Sequence, residues 1–168
     1  RVYVKTLGCK VNTFDSHALE NQFRARGYDV CDSPDLATIN ILNTCSVTAK
    51  ADKEARYLAR RFRRANPDSL IVATGCYAQT DSAKLQSLDE IDLIVPNEAK
   101  EKLSELIDRY KNGELDAFQN KLPKSIKAVK ENRQEHFKSS ATLFAAASSS
   151  QTRAFLKVQD GCNGFCSY

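Results

Sequence analysis

The segment Leu70-Ile71-Val72-Ala73-Thr74-Gly75-Cys76 places four consecutive apolar residues directly before a Gly-Cys pair. A short continuous apolar run that ends in turn residues is typical of a strand buried on both faces, as in a parallel sheet. No apolar run of the chain approaches the ~20 residues of a membrane helix. The segment therefore predicts a buried strand, and the chain predicts no membrane partner.

The first 110 or so residues on either side of this strand alternate between strand-like and helix-like patterns. Apolar residues recur at helical spacing between the strand-like segments, for example at Phe14, Ala18, Leu19 and Phe23. This alternation predicts an α/β fold with an open, mainly parallel five-stranded sheet flanked by helices, of the Rossmann or flavodoxin-like kind. The five predicted strands are residues 2–7, 28–31, 39–42, 70–74 and 91–95.

The composition changes near Gly113, and this change predicts the domain organisation. Residues 1–112 form the predicted α/β domain, and residues 113–152, which are rich in Lys and then in Ser and Ala, form a predicted linker. Residues 153–168 begin with a strand-like segment, which we interpret as the start of a second domain. Only Asp32 to Thr38 separate the second and third predicted strands, which is short for a parallel crossover.

The chain has 168 residues, of which 42% are hydrophobic and 27% charged, and six are Cys. These proportions are typical of a globular protein. No apolar segment near Arg1 resembles a signal peptide, so we expect a cytoplasmic protein. In a reducing compartment, clustered Cys residues indicate a metal site or catalysis more often than disulfides.

Positive charge is concentrated in one predicted helix. Residues 50–64 contain seven basic and two acidic residues, a net charge of +5, whereas the whole chain has +4. A localised basic face is typical of a protein that binds a polyanion, although a solvated helix face gives the same pattern. The five arginines of this segment are Arg56, Arg60, Arg61, Arg63 and Arg64.

Three cysteines each follow a predicted strand: Cys9, Cys45 and Cys76. Because the carboxyl ends of parallel strands lie at one edge of a sheet, we expect the three thiols to lie close together there. Single free cysteines are usually small buried residues, and we interpret Cys31 in that way. The shared position of the other three favours a bound cofactor.

The residues around these cysteines suit a metal–thiolate site. Gly8 and Gly75 allow the backbone to approach a bulky ligand, and Asn12 and Asn43 are candidates for hydrogen bonds that support the thiolates. Structural zinc sites usually have four ligands, often in paired CxxC units, and none of the three cysteines lies in such a pair. Iron–sulfur clusters accept thiolates from dispersed loops.

Two further cysteines, Cys162 and Cys166, lie in a Gly-containing loop after the last strand-like segment. A CxxxC pair by itself is a weak indication of a metal site. Its position directly after a strand strengthens the interpretation.

Four motifs together resemble the methylthiotransferase family of radical S-adenosylmethionine (SAM) enzymes. They are Thr6-Leu7-Gly8-Cys9-Lys10-Val11-Asn12, Asn43-Thr44-Cys45-Ser46-Val47-Thr48, Thr74-Gly75-Cys76-Tyr77-Ala78-Gln79 and Lys157-Val158-Gln159-Asp160-Gly161-Cys162-Asn163-Gly164-Phe165-Cys166. The Gly-Cys-Lys-Val-Asn form looks most like the branch that modifies N6-threonylcarbamoyladenosine at position 37 of tRNA, next to the anticodon.

The resemblance implies two 4Fe–4S clusters and SAM as cofactors. By this resemblance Cys9, Cys45 and Cys76 hold an auxiliary cluster whose open iron carries the sulfur to be transferred. Cys162 and Cys166 supply two of the three ligands of the radical SAM cluster, and the third is expected directly after Tyr168. The resemblance also implies that residues 153–168 begin a radical SAM barrel, so that this chain alone does not complete catalysis.

The resemblance further implies that the partner is tRNA, bound at its anticodon stem-loop, and it makes the five arginines candidates for phosphate contacts. Alternatives within the family are methylthiolation of isopentenyl-adenosine in tRNA or of an Asp in a ribosomal protein. Alternatives of another class are a flavodoxin-like nucleotide-binding module and a thiol redox sensor. The first of these is weak, because the loop after the first strand has neither a GxGxxG nor a GxxxxGK pattern.

Overall fold

The computed structural model of this chain describes residues 1–45 and 49–114. The predicted linker, residues 153–168, Cys162 and Cys166 lie outside the described residues. The described elements are β1 (Val2–Thr6), α1 (Lys10–Ala25), β2 (Ile39–Thr44), α2 (Ala49–Ala65), β3 (Leu70–Gly75), α3 (Cys76–Thr80), α4 (Ser82–Gln86), β4 (Leu93–Ile94), a 3-10 helix (Asn97–Lys102) and α5 (Leu103–Lys111).

The predicted α/β architecture is confirmed, with a sheet in the order β1-β2-β3-β4 and all its pairs parallel. The strands alternate between two faces. Ile39 and Ile41 of β2 pack toward α1 and α5, together with Leu19, Phe23 and Ile107. Leu42 belongs to the core of the other face, which also contains Ala55, Leu58, Ala59 and Phe62 of α2. Likewise β3 places Ile71 and Ala73 in one core and Val72 in the other, and this burial on both faces explains its continuous apolar run.

The prediction of five strands is wrong in one place, because the described part of the sheet contains four. Residues 28–31 make a single parallel bridge, Val30 with Val2, on the side of β1 that faces away from β2. Val2 N–H donates to Asp29 O at 2.8 Å, and Cys31 N–H donates to Val2 O at 2.9 Å. The extended stretch ends there because the chain turns at Pro34, a residue that cannot donate to a ladder.

This bridge also explains the short connection between residues 31 and 39. The bridge lies at the first residue of β1, so the chain has only to pass the start of that strand before β2 begins. It does so closely, since the backbone N–H groups of Thr38 and Ile39 both donate to Arg1 O, at 3.0 and 3.1 Å. A full parallel crossover, which needs a dozen or more residues, is not required.

The described helices differ from membrane-spanning helices in length and polarity. Within residues 1–45 and 49–114, no helix is both long and apolar enough to cross a bilayer.

Candidate metal centre

The register of the sheet brings the three strand-end cysteines to one place, which we call the carboxyl edge: the ends of β1, β2 and β3. Thr6 lies beside Asn43, and Asn43 lies beside Thr74. Continuing this register by two residues places Gly8, Cys45 and Cys76 side by side, with Cys9 one residue further on. The structure therefore gathers the three thiols although their positions in the sequence are far apart.

Gly8 fits against Cys45 so closely that no side chain could replace its hydrogen. A Cβ atom built on Gly8 would lie 2.4 Å from Cys45 Cβ and 2.5 Å from Cys45 Sγ. The φ of Gly8 is +97°, a conformation that residues with a side chain rarely adopt. Gly8 thus keeps open the space in which the Cys45 thiol lies.

Gly75 allows a similarly close contact between the ends of β2 and β3. Its φ of 96° and ψ of −168° belong to a region that is essentially restricted to glycine. A Cβ atom at this position would lie 2.3 Å from Thr44 O and 2.8 Å from Asn43 Oδ1. The turn from β3 into α3 can therefore lie directly against the end of β2, and this contact brings Cys76 next to Cys45.

The three thiols differ in exposure, and the most buried of them follows the middle strand, β2. Cys45 is buried at 4% exposure, Cys76 is partly buried, and Cys9 is exposed as the residue that precedes α1. The pKa of the Cys76 thiol is raised, mainly by burial and also by the charges of Cys45 and Cys9. Lys100 and a hydrogen bond from the Asn97 side chain act on this pKa in the opposite direction. Cys45 and Cys9 therefore lie close enough to Cys76 to act on its thiol.

Asn12 and Asn43 hold the backbone at this edge. The Asn12 amide donates to Leu7 O at 2.8 Å and to Thr44 O at 2.9 Å, so it ties the end of β1 to the end of β2. The Asn43 amide donates to Asn12 O and Ser16 Oγ, both at 2.9 Å. These donors bind oxygen atoms of the protein, and they fix the loops from which the cysteines project.

Sequence reasoning missed three polar residues beneath this edge: Asp15, Asn97 and Lys100. Lys100 Nζ lies 3.0 Å from Asp15 Oδ2 and 3.2 Å from Asn43 Oδ1. A signal was present in α1, where Asn12, Asp15, Ser16, Leu19 and Phe23 recur at helical spacing and are all buried. Polar residues in register with an apolar face indicate a buried polar network. Asn97 and Lys100 gave no such signal, because they lie in a highly charged segment.

The donor set at the carboxyl edge consists of three cysteine thiols, and thiolates are the usual ligands of an iron–sulfur cluster. Within residues 1–45 and 49–114, no group of three His, Cys, Asp or Glu side chains converges closely enough to hold one metal ion. A cluster binds each thiolate through a different iron, so its ligands stand further apart, and soft thiolates are the ligands that it prefers.

Cys31 is not part of this group. It lies at the opposite edge of the sheet, which we call the amino edge, where the strands begin. Its thiol, which is partly buried, lies 3.5 Å from both Val2 O and Ser33 O, either of which can accept its single proton. Cys31 therefore contacts the backbone of β1 and of its own loop.

The basic residues of α2 are divided between two roles. A groove of about 670 Å³ is lined by Lys53, Arg56, Tyr57, Arg60, Arg63, Arg64 and Glu90. Arg63 is held in place, since it donates to the carbonyls of Pro67, Ser69 and Glu90 at 2.7 to 3.1 Å and to Asp92 Oδ2 at 2.7 Å. Arg60 pairs with Glu90 at 3.3 Å. Arg61 is exposed outside the groove.

Comparison with known proteins identifies the family to which this chain belongs. The Uncharacterized protein family UPF0004 matches residues 1–96, so the chain belongs to this family. It is also similar over nearly its whole length to methylthiotransferases that act on tRNA. The threonylcarbamoyladenosine tRNA methylthiotransferase MtaB of Aquifex aeolicus is 34% identical over 168 residues, which is 100% of this chain and 38% of the relative. MtaB of Bacillus subtilis is 37% identical over 164 residues, 97% of this chain and 34% of the relative.

A relative whose name gives another substrate is slightly less similar to this chain. The tRNA-2-methylthio-N(6)-dimethylallyladenosine synthase of Zymomonas mobilis is 29% identical over 168 residues, 99% of this chain and 34% of the relative. The chain thus spans little more than a third of the length of these relatives. The resemblance to methylthiotransferases, in its MtaB branch, is confirmed.

Proposed function

We propose that this chain is the sulfur-donating part of an enzyme that adds a methylthio group to C2 of N6-threonylcarbamoyladenosine at position 37 of tRNA. The observation that carries the proposal is the convergence of Cys9, Cys45 and Cys76 at the carboxyl edge. The similarity to two MtaB proteins over almost the whole chain supports the choice of substrate.

In this proposal Cys9, Cys45 and Cys76 hold a 4Fe–4S cluster through three thiolates. Such a cluster supplies an iron with an open position, at which the sulfur to be transferred can bind. The difference in exposure between the thiols supports an orientation for the proposed cluster. Buried Cys45 lies on the protein side of the group, exposed Cys9 lies on the solvent side, and Asn12 and Asn43 hold both loops in register.

The remaining chemistry belongs to residues outside the described part of the chain and to the rest of the enzyme. Cys162 and Cys166 are proposed as two ligands of a second 4Fe–4S cluster, the one that binds SAM. SAM is the proposed source of the methyl group and of the radical. A cytoplasmic location is proposed, because the tRNA substrate is found there.

The groove of α2 is proposed to bind phosphates of the anticodon stem-loop. Arg56 and Arg64 are its main candidates, with Lys53 beside them, because Arg60 and Arg63 are paired with the carboxylates of Glu90 and Asp92. Arg61 lies outside the groove and ranks behind these residues. Because α2 rises about 1.5 Å per residue, Arg64 lies roughly 22 Å along the helix from its start near Cys45. A nucleotide at the cysteines and phosphates at Arg64 would therefore belong to different parts of one RNA.

The decisive experiment is anaerobic reconstitution of the complete enzyme with iron and sulfide. Cys162 and Cys166 are replaced by Ala so that any remaining cluster belongs to the carboxyl edge. We expect about four irons per chain and a brown absorbance. Cys45→Ala should abolish both, whereas Cys31→Ala, the matched control at the amino edge, should retain both. Stoichiometric zinc, or a product without metal, would contradict the proposal.

The substrate is tested with the complete, fully reconstituted enzyme without these substitutions. It is assayed on tRNA that carries threonylcarbamoyladenosine, on tRNA that carries isopentenyl-adenosine, and on ribosomal protein. Mass spectrometry should find a methylthio group only in the first. Modification of isopentenyl-adenosine alone would instead assign to this enzyme the activity in the name of the Zymomonas mobilis relative.

A further inference from the structure

Lys100 is an unusual residue, because its side chain is buried and charged. It is 3% exposed, although lysines are almost never fully buried unless they are paired. Its ammonium group is held by Asp15 Oδ2 at 3.0 Å and by Asn43 Oδ1 at 3.2 Å. Both partners are themselves buried, so the position of the charge is fixed by the fold.

The ammonium group lies directly beneath the turn that carries Cys76. Asn43 Oδ1, which accepts from Lys100, lies 2.8 Å from the position that a Cβ atom of Gly75 would occupy. A single side-chain oxygen therefore separates the cation from the residue that precedes Cys76.

Asp15 and Asn43 hold the Lys100 ammonium group from two different elements, α1 and β2. Of these two partners, Asn43 is the one whose Oδ1 lies next to the turn at Gly75, which Cys76 follows. The ion pair is thus a dipole whose positive end is joined to that turn through Asn43. In an interior of low dielectric constant, such a dipole acts more strongly than it would in water.

We propose that Lys100 is a positioning residue of the metal centre, a fixed positive charge that sets the reduction potential of the iron–sulfur group held by the three cysteines. The inference rests on the proposed function. A nearby positive charge stabilises the state that carries the additional electron, so Lys100 raises the potential and Asp15 lowers it. This opposite action of two paired residues distinguishes an electrostatic role from a structural one.

The test uses the complete enzyme with Cys162→Ala and Cys166→Ala, reconstituted under anaerobic conditions. Two variants are compared with this parent, Asp15→Asn and the double variant Asp15→Asn/Lys100→Met. The double variant removes both charges while nearly preserving side-chain volume, which avoids leaving one charge buried without its partner. Midpoint potentials are measured by redox titration, with the reduced cluster followed by electron paramagnetic resonance. Circular dichroism verifies that each variant is folded.

We expect the midpoint potential to be higher than the parent's in Asp15→Asn and lower in the double variant. The equilibrium constant for one-electron reduction should differ at least tenfold between the two variants, which corresponds to 59 mV. The matched control removes the Arg26–Asp108 ion pair, which joins at 2.8 Å near the amino edge, by Arg26→Met/Asp108→Asn. This control should leave the potential unchanged.

Equal potentials in the parent and both variants, with iron bound in all three, would overturn the role of Lys100 and leave the proposed function intact. A parent that binds no iron would overturn both. The two failures are therefore distinguishable by the iron content alone.

Discussion

The carboxyl and amino edges of the sheet both contain a cysteine and a glycine with positive φ, yet they are built in different ways. At the carboxyl edge, Gly8 and Gly75 press against neighbouring strands, with no space for a Cβ atom. At the amino edge, Gly27 has φ +80° but nothing within 4 Å of a Cβ position. The comparison teaches that close contact between strand ends, and not residue type, marks the functional edge.

The largest expected difference between the two edges concerns their glycines. Gly75→Ala should destabilise the fold by about 3 kcal/mol or more, because the backbone strain is added to the overlap with Thr44. Gly27→Ala, the matched control, should cost about 1 kcal/mol, since it adds only the strain of a positive φ. Chemical denaturation of the two variants in the same metal-free state measures the difference. Equal losses would show that the close contact at Gly75 is relieved by a small backbone shift.

The second difference lies among the arginines of α2 near the amino edge. Arg63→Met should destabilise the fold by about 2 kcal/mol, because three carbonyls and Asp92 lose a charged donor. Arg64→Met should change stability by less than about 0.5 kcal/mol, since the side chain is exposed. Thermal unfolding of both variants is the measurement. A stable Arg63→Met variant would return Arg63 to the candidates for RNA binding.

RNA binding provides the third comparison. Charge reversal at Arg56 and Arg64 in the complete enzyme should weaken tRNA binding about tenfold and reduce the salt dependence of the affinity by about two phosphate contacts. Lys102→Glu, which reverses an exposed charge on the 3-10 helix, should leave affinity unchanged. Filter binding at several salt concentrations measures both quantities. Equal weakening by Lys102→Glu would indicate a general effect of net charge.

The smallest expected effect is the pH dependence of the Cys76 thiol. Its pKa is raised by burial and by Cys45 and Cys9, so in the metal-free protein it should become reactive toward iodoacetamide only at higher pH than in the unfolded chain. The folded state then keeps a proton that the unfolded state has lost. The contribution of this thiol to stability is thus present below its ordinary pKa and is lost as the pH rises through the raised value. Alkylation of the individual thiols, followed by mass spectrometry, tests the direction.

The sequence predicted the central strand β3 from its continuous apolar run, which reflects burial on both faces. It overestimated residues 28–31, which make a single bridge and are at most partly buried. It also predicted that Cys9, Cys45 and Cys76 share one edge, since strand direction alone determines which end of a strand lies where. The contacts of Lys100 and Arg63 could not be predicted from the sequence, because the residues that bind their side chains belong to distant segments.

The parallel register has a consequence for how the site tolerates change. The three cysteines extend from adjacent strands, whose separation of about 4.8 Å is set by backbone hydrogen bonds and does not depend on side chains. Insertions in the loops at the amino edge would leave the spacing of the thiols unaltered. A slip of β2 by one residue would move Cys45 by about 3.3 Å and turn it to the other face of the sheet. The spacing of the thiols is thus determined by the regular spacing of the peptide backbone in the sheet.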